Sequence, residues 1–467
     1  MTLLPFFRAS ATMSSTRRLP PIMPHGADRG YGGGVTGLVD RVRTVDLRDA
    51  LVWGAVALGG LLLARIGTEA GWRVGLDAAP FAGLARRTVS LGSVLAPLVA
   101  AAVVVAVRRG LAERLPWRRL LAAAWLAAFA WCASLALVDG GHGFTTLLMD
   151  SEGHRADVAA IGDDWWAFLG EVDDRPEALA VGNRTHPPGP VLLLWGLDRA
   201  GVDGTLPLGI LLTSLAALVA PLVTVATRSL CGERAARRLL PALVLAPYAV
   251  WSAGSLDGVT AALAAGAVAV GLVASEPGRT PRWPIAAGVL LGVAALFSFP
   301  VVWLAAIPLL GCFLRRRGTT IAFMGTGAVM PLALAQTAGY DWAAGLGNAR
   351  ADWTSRVGAQ RGWLLWLALD VVALAVACGP LLVTAARKVR NTPGWPVLVG
   401  AGLGLAFTLA VDLARGEVEH SWLPFMPWLL VPASAPAHQG GDPERLSTFL
   451  LVLGATTAVV VRALVQP

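Results

Sequence analysis

Four short stretches of this 467-residue chain carry the residue types that chemistry needs. The first is Asp139, directly after the apolar run Leu135-Ala136-Leu137-Val138. A carboxylate at the lip of an apolar helix is partly desolvated, which raises its pKa towards general-base range; a solvated loop-start residue is the plainer alternative. The second is Asp150-Ser151-Glu152, with His154 and Asp157 close behind. Two carboxylates two residues apart in a loop can converge on a divalent cation or on sugar hydroxyls, although the same pattern is common in ordinary acidic loops. The third is Arg184-Thr185-His186-Pro187-Pro188-Gly189-Pro190, leading into the apolar Val191-Leu192-Leu193-Leu194-Trp195. Proline fixes the turn and is tolerated where a helix starts. Arg184 and His186 therefore stand beside a helix N-terminus, whose free N–H groups favour an anion such as a lipid phosphate. A structural proline turn with an exposed histidine is the alternative. The fourth is Glu417-Val418-Glu419-His420, before Trp422, where Glu419 and His420 either close the same pocket or form a hydrated turn.

Composition says what must position these groups. Hydrophobic residues make up 55% of the chain and charged residues 15%, with a mean hydropathy of +0.63. Soluble domains carry about a quarter charged residues. The apolar residues arrive in blocks of about 15–23, long enough to cross a bilayer. A soluble enzyme, a disordered tail protein and a secreted disulfide scaffold are excluded, and continuous rather than alternating apolarity argues against an outer-membrane barrel. The net charge of +8 does not indicate nucleic acid, because the basic residues (all Arg except Lys388) cluster in short loops between apolar blocks. Cys132, Cys231, Cys312 and Cys378 lie in or beside separate apolar segments without metal-ligand spacing and read as packing residues.

The pattern predicts an all-α polytopic membrane helix bundle with about 13 transmembrane helices. They fall near 50–66, 89–107, 120–138, 205–227, 239–254, 257–275, 284–298, 300–314, 319–337, 364–384, 396–413, 423–436 and 447–464. Residues 1–48 read as a disordered cytoplasmic leader rather than a cleaved signal peptide. Placing the Arg clusters inside puts the N-terminus in the cytoplasm and the C-terminus outside the plasma membrane, with Arg73, Arg86 and Arg87 as exceptions. In that threading the stretch 189–197 is too short to span and lies at the external surface. Loop 139–187, strongly acidic and containing Trp165-Trp166, is external, as are 338–363 and 414–422. Long loops in a compact bundle are functional or disordered, which assigns any chemistry to the external face. Asp370 and Asp412, inside or near predicted spans, read either as functional acids or as partners of bundle arginines.

The order of these features resembles the GT-C glycosyltransferases of the protein O-mannosyltransferase type. After the acidic loop and the His-Pro-Pro segment come Arg228-Ser229-Leu230-Cys231-Gly232-Glu233-Arg234-Ala235-Ala236, then Ala246-Pro247-Tyr248, then Ser255-Leu256-Asp257. The resemblance covers roughly 120–310 and extends to the C-terminal third only in hydropathy. It implies a GT-C-like domain over 120–464, an additional N-terminal transmembrane hairpin within 49–119, and juxtamembrane helices in the long external loop. It further implies transfer of a mannose-like sugar from a polyprenyl-phosphate donor to an envelope acceptor, with Asp139 as catalytic base. Asp150 and Glu152 resemble the degenerate acidic pair, binding substrate or a divalent cation. His186, with Arg184, would hold phosphate, and Asp257 matches an acidic residue opening a later span. The chain departs from the pattern after Asp139, where Gly140-Gly141-His142 replaces an adjacent acidic residue, and at Thr205-Leu206-Pro207 in place of Arg-Leu-Pro. A lipid-linked sugar flippase and a non-catalytic envelope assembly protein are the competing readings; the former favours internal repeats and midplane sites.

Overall fold

The computed structural model describes residues 42–76, 78–81 and 83–466. Most of the expected leader, 1–41, lies outside the described residues. The helices that matter here are α1 (Thr44–Glu69), α2 (Leu95–Arg108), α3 (Trp117–Ala136), α4 (Gly189–Arg199), α5 (Thr205–Ala216), α6 (Val219–Cys231) and α7 (Glu233–Val244). They continue with α8 (Leu256–Ala274), α9 (Arg282–Ala295), α10 (Gly318–Thr337), α11 (Trp342–Trp353), α12 (Trp363–Cys378), α13 (Trp395–Ala410) and α14 (Thr448–Leu464). Strand is limited to one antiparallel pair, Leu84–Ala85 with Val465–Gln466, among the described residues. The chain is an all-α, multi-pass membrane bundle. Leu51, Leu58, Leu98 and Leu364 stay more than half exposed, as expected where lipid rather than water is the solvent.

Among the described residues six helices are long and apolar enough to cross a membrane, seven if the bent pair of α11 and α12 is one span, and four apolar helices of 10–17 residues accompany them. The difference from the expected thirteen has a local cause. Residues 239–254 and 423–436 are apolar but proline-broken. Helix α7 contains Pro241 and ends at Val244, before a 3-10 turn at Pro247–Trp251. Pro427 and Pro432 begin single turns at Met426–Leu429 and Val431–Ser434. Trp251, Phe425 and Trp428 there are almost fully buried, and irregular backbone is tolerated at membrane depth where protein covers it. A further departure is α11, which continues through a π-helical turn (Thr354–Gly358) and meets α12 at 101°. A helix thus stands where a loop was expected.

Close approach of backbones joins α9 to α10. A Cβ on Gly288 would overlap the Met324 carbonyl, and one on Gly327 the Ile285 carbonyl, so α9 and α10 pack through small residues as membrane helices do. In the region of the expected N-terminal hairpin, α1 lies on α12, α2 lies on α3, and α14 contacts both. One end of the bundle is stapled by ion pairs. Buried Asp49 takes Arg387 at 3.0 Å and the Thr384 hydroxyl at 2.7 Å, Lys388 meets Glu444 at 2.8 Å, and Arg237 meets Glu233 at 2.6 Å. These are the arginine-rich loops assigned to the cytoplasm. The opposite end holds the strand pair and the polar cavity described next.

Candidate functional site

A cavity of about 580 Å³ opens among the helix ends opposite the arginine-rich loops. Five of the sequence-derived site residues line it: Asp150, Glu152, His186, Asp257 and His420. They come from three regions distant in sequence, which the fold brings together.

The first wall is built by two stretches of the long loop. Asp150 accepts a hydrogen bond from the Glu152 amide at 3.0 Å, while Glu152 accepts from the Val181 amide at 3.2 Å. The Gly182 amide also donates to the Glu152 carbonyl at 2.8 Å. These bonds hold 150–155 against 181–186 and present His154 beside His186, with ring centroids 5.0 Å apart at 81°. Asn183 donates to Asp157 at 2.7 Å and to the His154 carbonyl at 3.1 Å, so its side-chain oxygen faces His154 Nδ1 at 2.9 Å as an acceptor. His186 Nδ1 lies 3.0 Å from the Gly182 carbonyl, which can only accept. Both rings therefore carry the proton on Nδ1, leaving Nε2 as an acceptor when neutral. Burial, then the neighbouring His186, pushes His154 down to about 4, so it is uncharged at neutral pH.

The proline turn seats α4 differently from the sequence expectation. The Gly189 N–H donates to the Leu296 carbonyl at 2.6 Å, and Pro187 to Pro190 are buried. The helix start is packed into protein, so this first N–H is not available to an anion. The cationic groups lie elsewhere. Arg184 is not on the cavity lining; its Nε stands 3.6 Å from Asp352. Asp352 also pairs with Arg356 at 2.7 Å, and Arg356 does line the cavity. Two guanidiniums thus share one carboxylate, and buried Arg184 Nε and Arg356 Nη2 lack hydrogen-bond partners among the described residues. A local excess of positive charge with unfilled donors suits an anionic ligand.

The third wall joins the start of α8 to the segment after α13. Ser255 caps α8 by accepting from the Asp257 and Gly258 amides, which fixes Asp257 in the first turn. Its carboxylate is 3.4 Å from His420 Nδ1. His420 follows a tight turn with left-handed φ at Asp412 (59°), Arg415 (121°), Gly416 (95°) and Glu417 (62°). That turn is held by Arg415–Asp412 at 2.6 Å, Arg361–Glu417 at 3.0 Å and the Gly416 amide on Asp370 at 2.8 Å. The two intramembrane acids therefore have roles in this turn, Asp412 with an arginine and Asp370 with a backbone amide. Burial opposes the charge on His420, but Asp257, with Glu419 and Glu417, holds its pKa raised.

Two other expected residues stand apart. Glu419 is fully buried and is not on the lining. Asp139 is also absent from it; its carboxylate pairs with Arg462 of α14, which is 4% exposed. Next to it the Ser90 hydroxyl donates to the Val138 carbonyl at 2.7 Å. Among the described residues no group of three or more His, Cys, Asp or Glu side chains is placed to hold a metal. Arg356 and Ser421 were not singled out as site residues in sequence. Arg356 lay in a noted external loop, but no spacing linked it to Arg184.

No family model and no curated protein matches the chain. Among solved structures, ArnT from Cupriavidus metallidurans bound to undecaprenyl phosphate aligns over 60% of this chain and 58% of its own, at 17% identity and a TM-score of 0.36. Its apo state aligns over 58% and 54%, at 16% identity and a TM-score of 0.38. The Archaeoglobus fulgidus oligosaccharyltransferase tethered with an acceptor peptide aligns over 65% and 51%, at 13% identity and a TM-score of 0.34. The chain spans just over half the length of these structures, and the likeness is partial, without residue-level correspondence.

Proposed function

We propose that the protein is a membrane glycosyltransferase that moves a sugar from a polyprenyl-phosphate donor to a hydroxyl acceptor on the extracytoplasmic side. The observation that carries this reading is the cavity: carboxylates, histidines and a partly unpaired arginine pair converge at one set of helix ends. An isoprenoid tail needs apolar surface between helices, its phosphate needs cations, and an acceptor hydroxyl needs a base. Arg356, with Arg184 behind it on Asp352, supplies the cationic side. Asp150, Glu152 and the neutral His154 offer acceptors to sugar hydroxyls, and His186 stands between. The sugar is proposed as mannose-like on the motif resemblance alone. A site at the helix ends favours transfer over the midplane site of alternating-access transport.

The test is transfer of label from undecaprenyl-phosphate mannose, glucose and galactose by the purified protein in lipid nanodiscs. Transfer by wild type, lost in His186→Ala, is expected. Equal turnover in both would remove His186 from the site, and vectorial movement of intact lipid-linked sugar without bond cleavage would make the protein a transporter.

A further inference from the structure

We propose that His420 is the proton acceptor of the reaction, that Asp257 is the residue positioning it, and that Asp139 takes no part in the proton transfer; this deepens the transferase reading and rests on it.

Geometry separates the two acids. Asp257 and His420 both line the cavity, 3.4 Å apart through Nδ1, which leaves His420 Nε2 for a substrate. Asp139 is off the lining and faces the guanidinium of Arg462. An arginine keeps its proton under all physiological conditions, so that pair has no proton to exchange. His420 is also held rigidly from behind. The adjacent Trp422 is buried and donates from its indole to Thr408 at 2.9 Å, while the His420 amide donates to Glu417 O at 3.1 Å. The buried hydroxyl of Ser421, also on the lining, has no hydrogen-bond partner among the described residues.

The step balances simply. The acceptor oxygen attacks the anomeric carbon, and a carbon–oxygen bond forms there as the bond to the lipid phosphate oxygen breaks. That electron pair leaves on the phosphate, opposite Arg356. The hydroxyl proton passes to His420 Nε2, and Asp257 holds the resulting imidazolium. The charged and titratable groups around the pair are Glu417 and Glu419 on the His420 side, and His154 and His186 facing Asp257. Since the neutral imidazole is the working form, turnover falls as pH drops through the raised His420 value. Removing the Asp257 carboxylate moves that acid limb to lower pH.

The test uses the full chain in nanodiscs, with the three labelled undecaprenyl-phosphate hexoses as donors and octyl glycosides as acceptors. His420→Gln should lower kcat by about 10²–10⁴-fold with little change in donor KM. His420→Ala should regain turnover with added imidazole. Asp257→Asn should shift the acid limb downward, and Asp257→Glu should restore it. Thermal melts of each variant separate loss of chemistry from loss of fold. Unchanged kcat in folded His420→Gln, or an unmoved limb in Asp257→Asn, overturns the proposal while wild-type turnover keeps the transferase reading. Turnover abolished in folded Asp139→Asn with His420→Gln active would make Asp139 the base. Absence of transfer by wild type from every donor overturns the transferase reading, and the proposal with it.

Discussion

Asp139 and Asp257 make an instructive pair, because each is an acid at a helix end facing a cation, and only one of them faces a cavity. Asp139 meets Arg462 where both side chains are nearly buried, 11% and 4% exposed. The end of α3, the turn before α2 and the end of α14 meet there, with Leu84–Ala85 paired to Val465–Gln466 close by in the chain. Asp257 meets His420 at 29% and 18% exposure on the wall of the cavity. The first arrangement locks three segments with a cation that cannot give up its proton; the second places a titrating ring against open volume. Position at a helix lip thus does not decide between staple and chemistry. The partner does.

The sharpest way to break that contrast is to remove one carboxylate at a time. Asp139→Asn leaves a buried guanidinium without its counter-ion, and such losses cost about 3–5 kcal/mol. A large fall in thermal stability is expected, with most of it recovered when Arg462→Met is added. A stable Asp139→Asn protein would show that the pair is not a staple. Next in size is the cationic side of the cavity. Arg356→Ala deletes a charged donor, and charge-assisted hydrogen bonds contribute about 1.5–3 kcal/mol, so donor KM should rise about tenfold or more. The rise should shrink in high salt. An unchanged KM would move the phosphate away from Arg356.

What the sequence made legible follows from what is local. His186 is visible because prolines follow it, and Asp257 because it matches an acidic residue in the motif order that the sequence resembles. Asp150 and Glu152 are a tripeptide, and their bonds to 181–182 are a product of folding. The role of Asp139 depended on Arg462, 323 positions away, and nothing near either residue reports the other. Arg356 sits in a π-helical turn that no apolar period announces. His154 stood in plain view next to the acidic pair, but its orientation came from Asn183 and Asp157, which no spacing connects. Two of the expected spans differ in form for a similar reason: hydropathy registers an apolar run without registering whether prolines let it be a helix. Buried segments such as Met426–Ser434 satisfy the one criterion and fail the other.

The smallest expected effect discriminates between the two pairs most cleanly. The folded state raises the pKa of His420 above its unfolded value, so folding binds the proton more tightly and the pair stabilises the protein while the ring is charged. This contribution is fully present below the unfolded value near about 6.5 and is lost as pH rises through the folded value. For a partly exposed pair it amounts to about 1 kcal/mol or less. The stability difference between wild type and Asp257→Asn should therefore be largest near about pH 6 and vanish on the alkaline side. The deficit of Asp139→Asn should stay level across that range, because no histidine belongs to its pair. Melting curves for both variants over the same pH series check this. A deficit for Asp257→Asn that is equally level would mean that His420 does not titrate against Asp257, and the two acids would then differ only in where they stand.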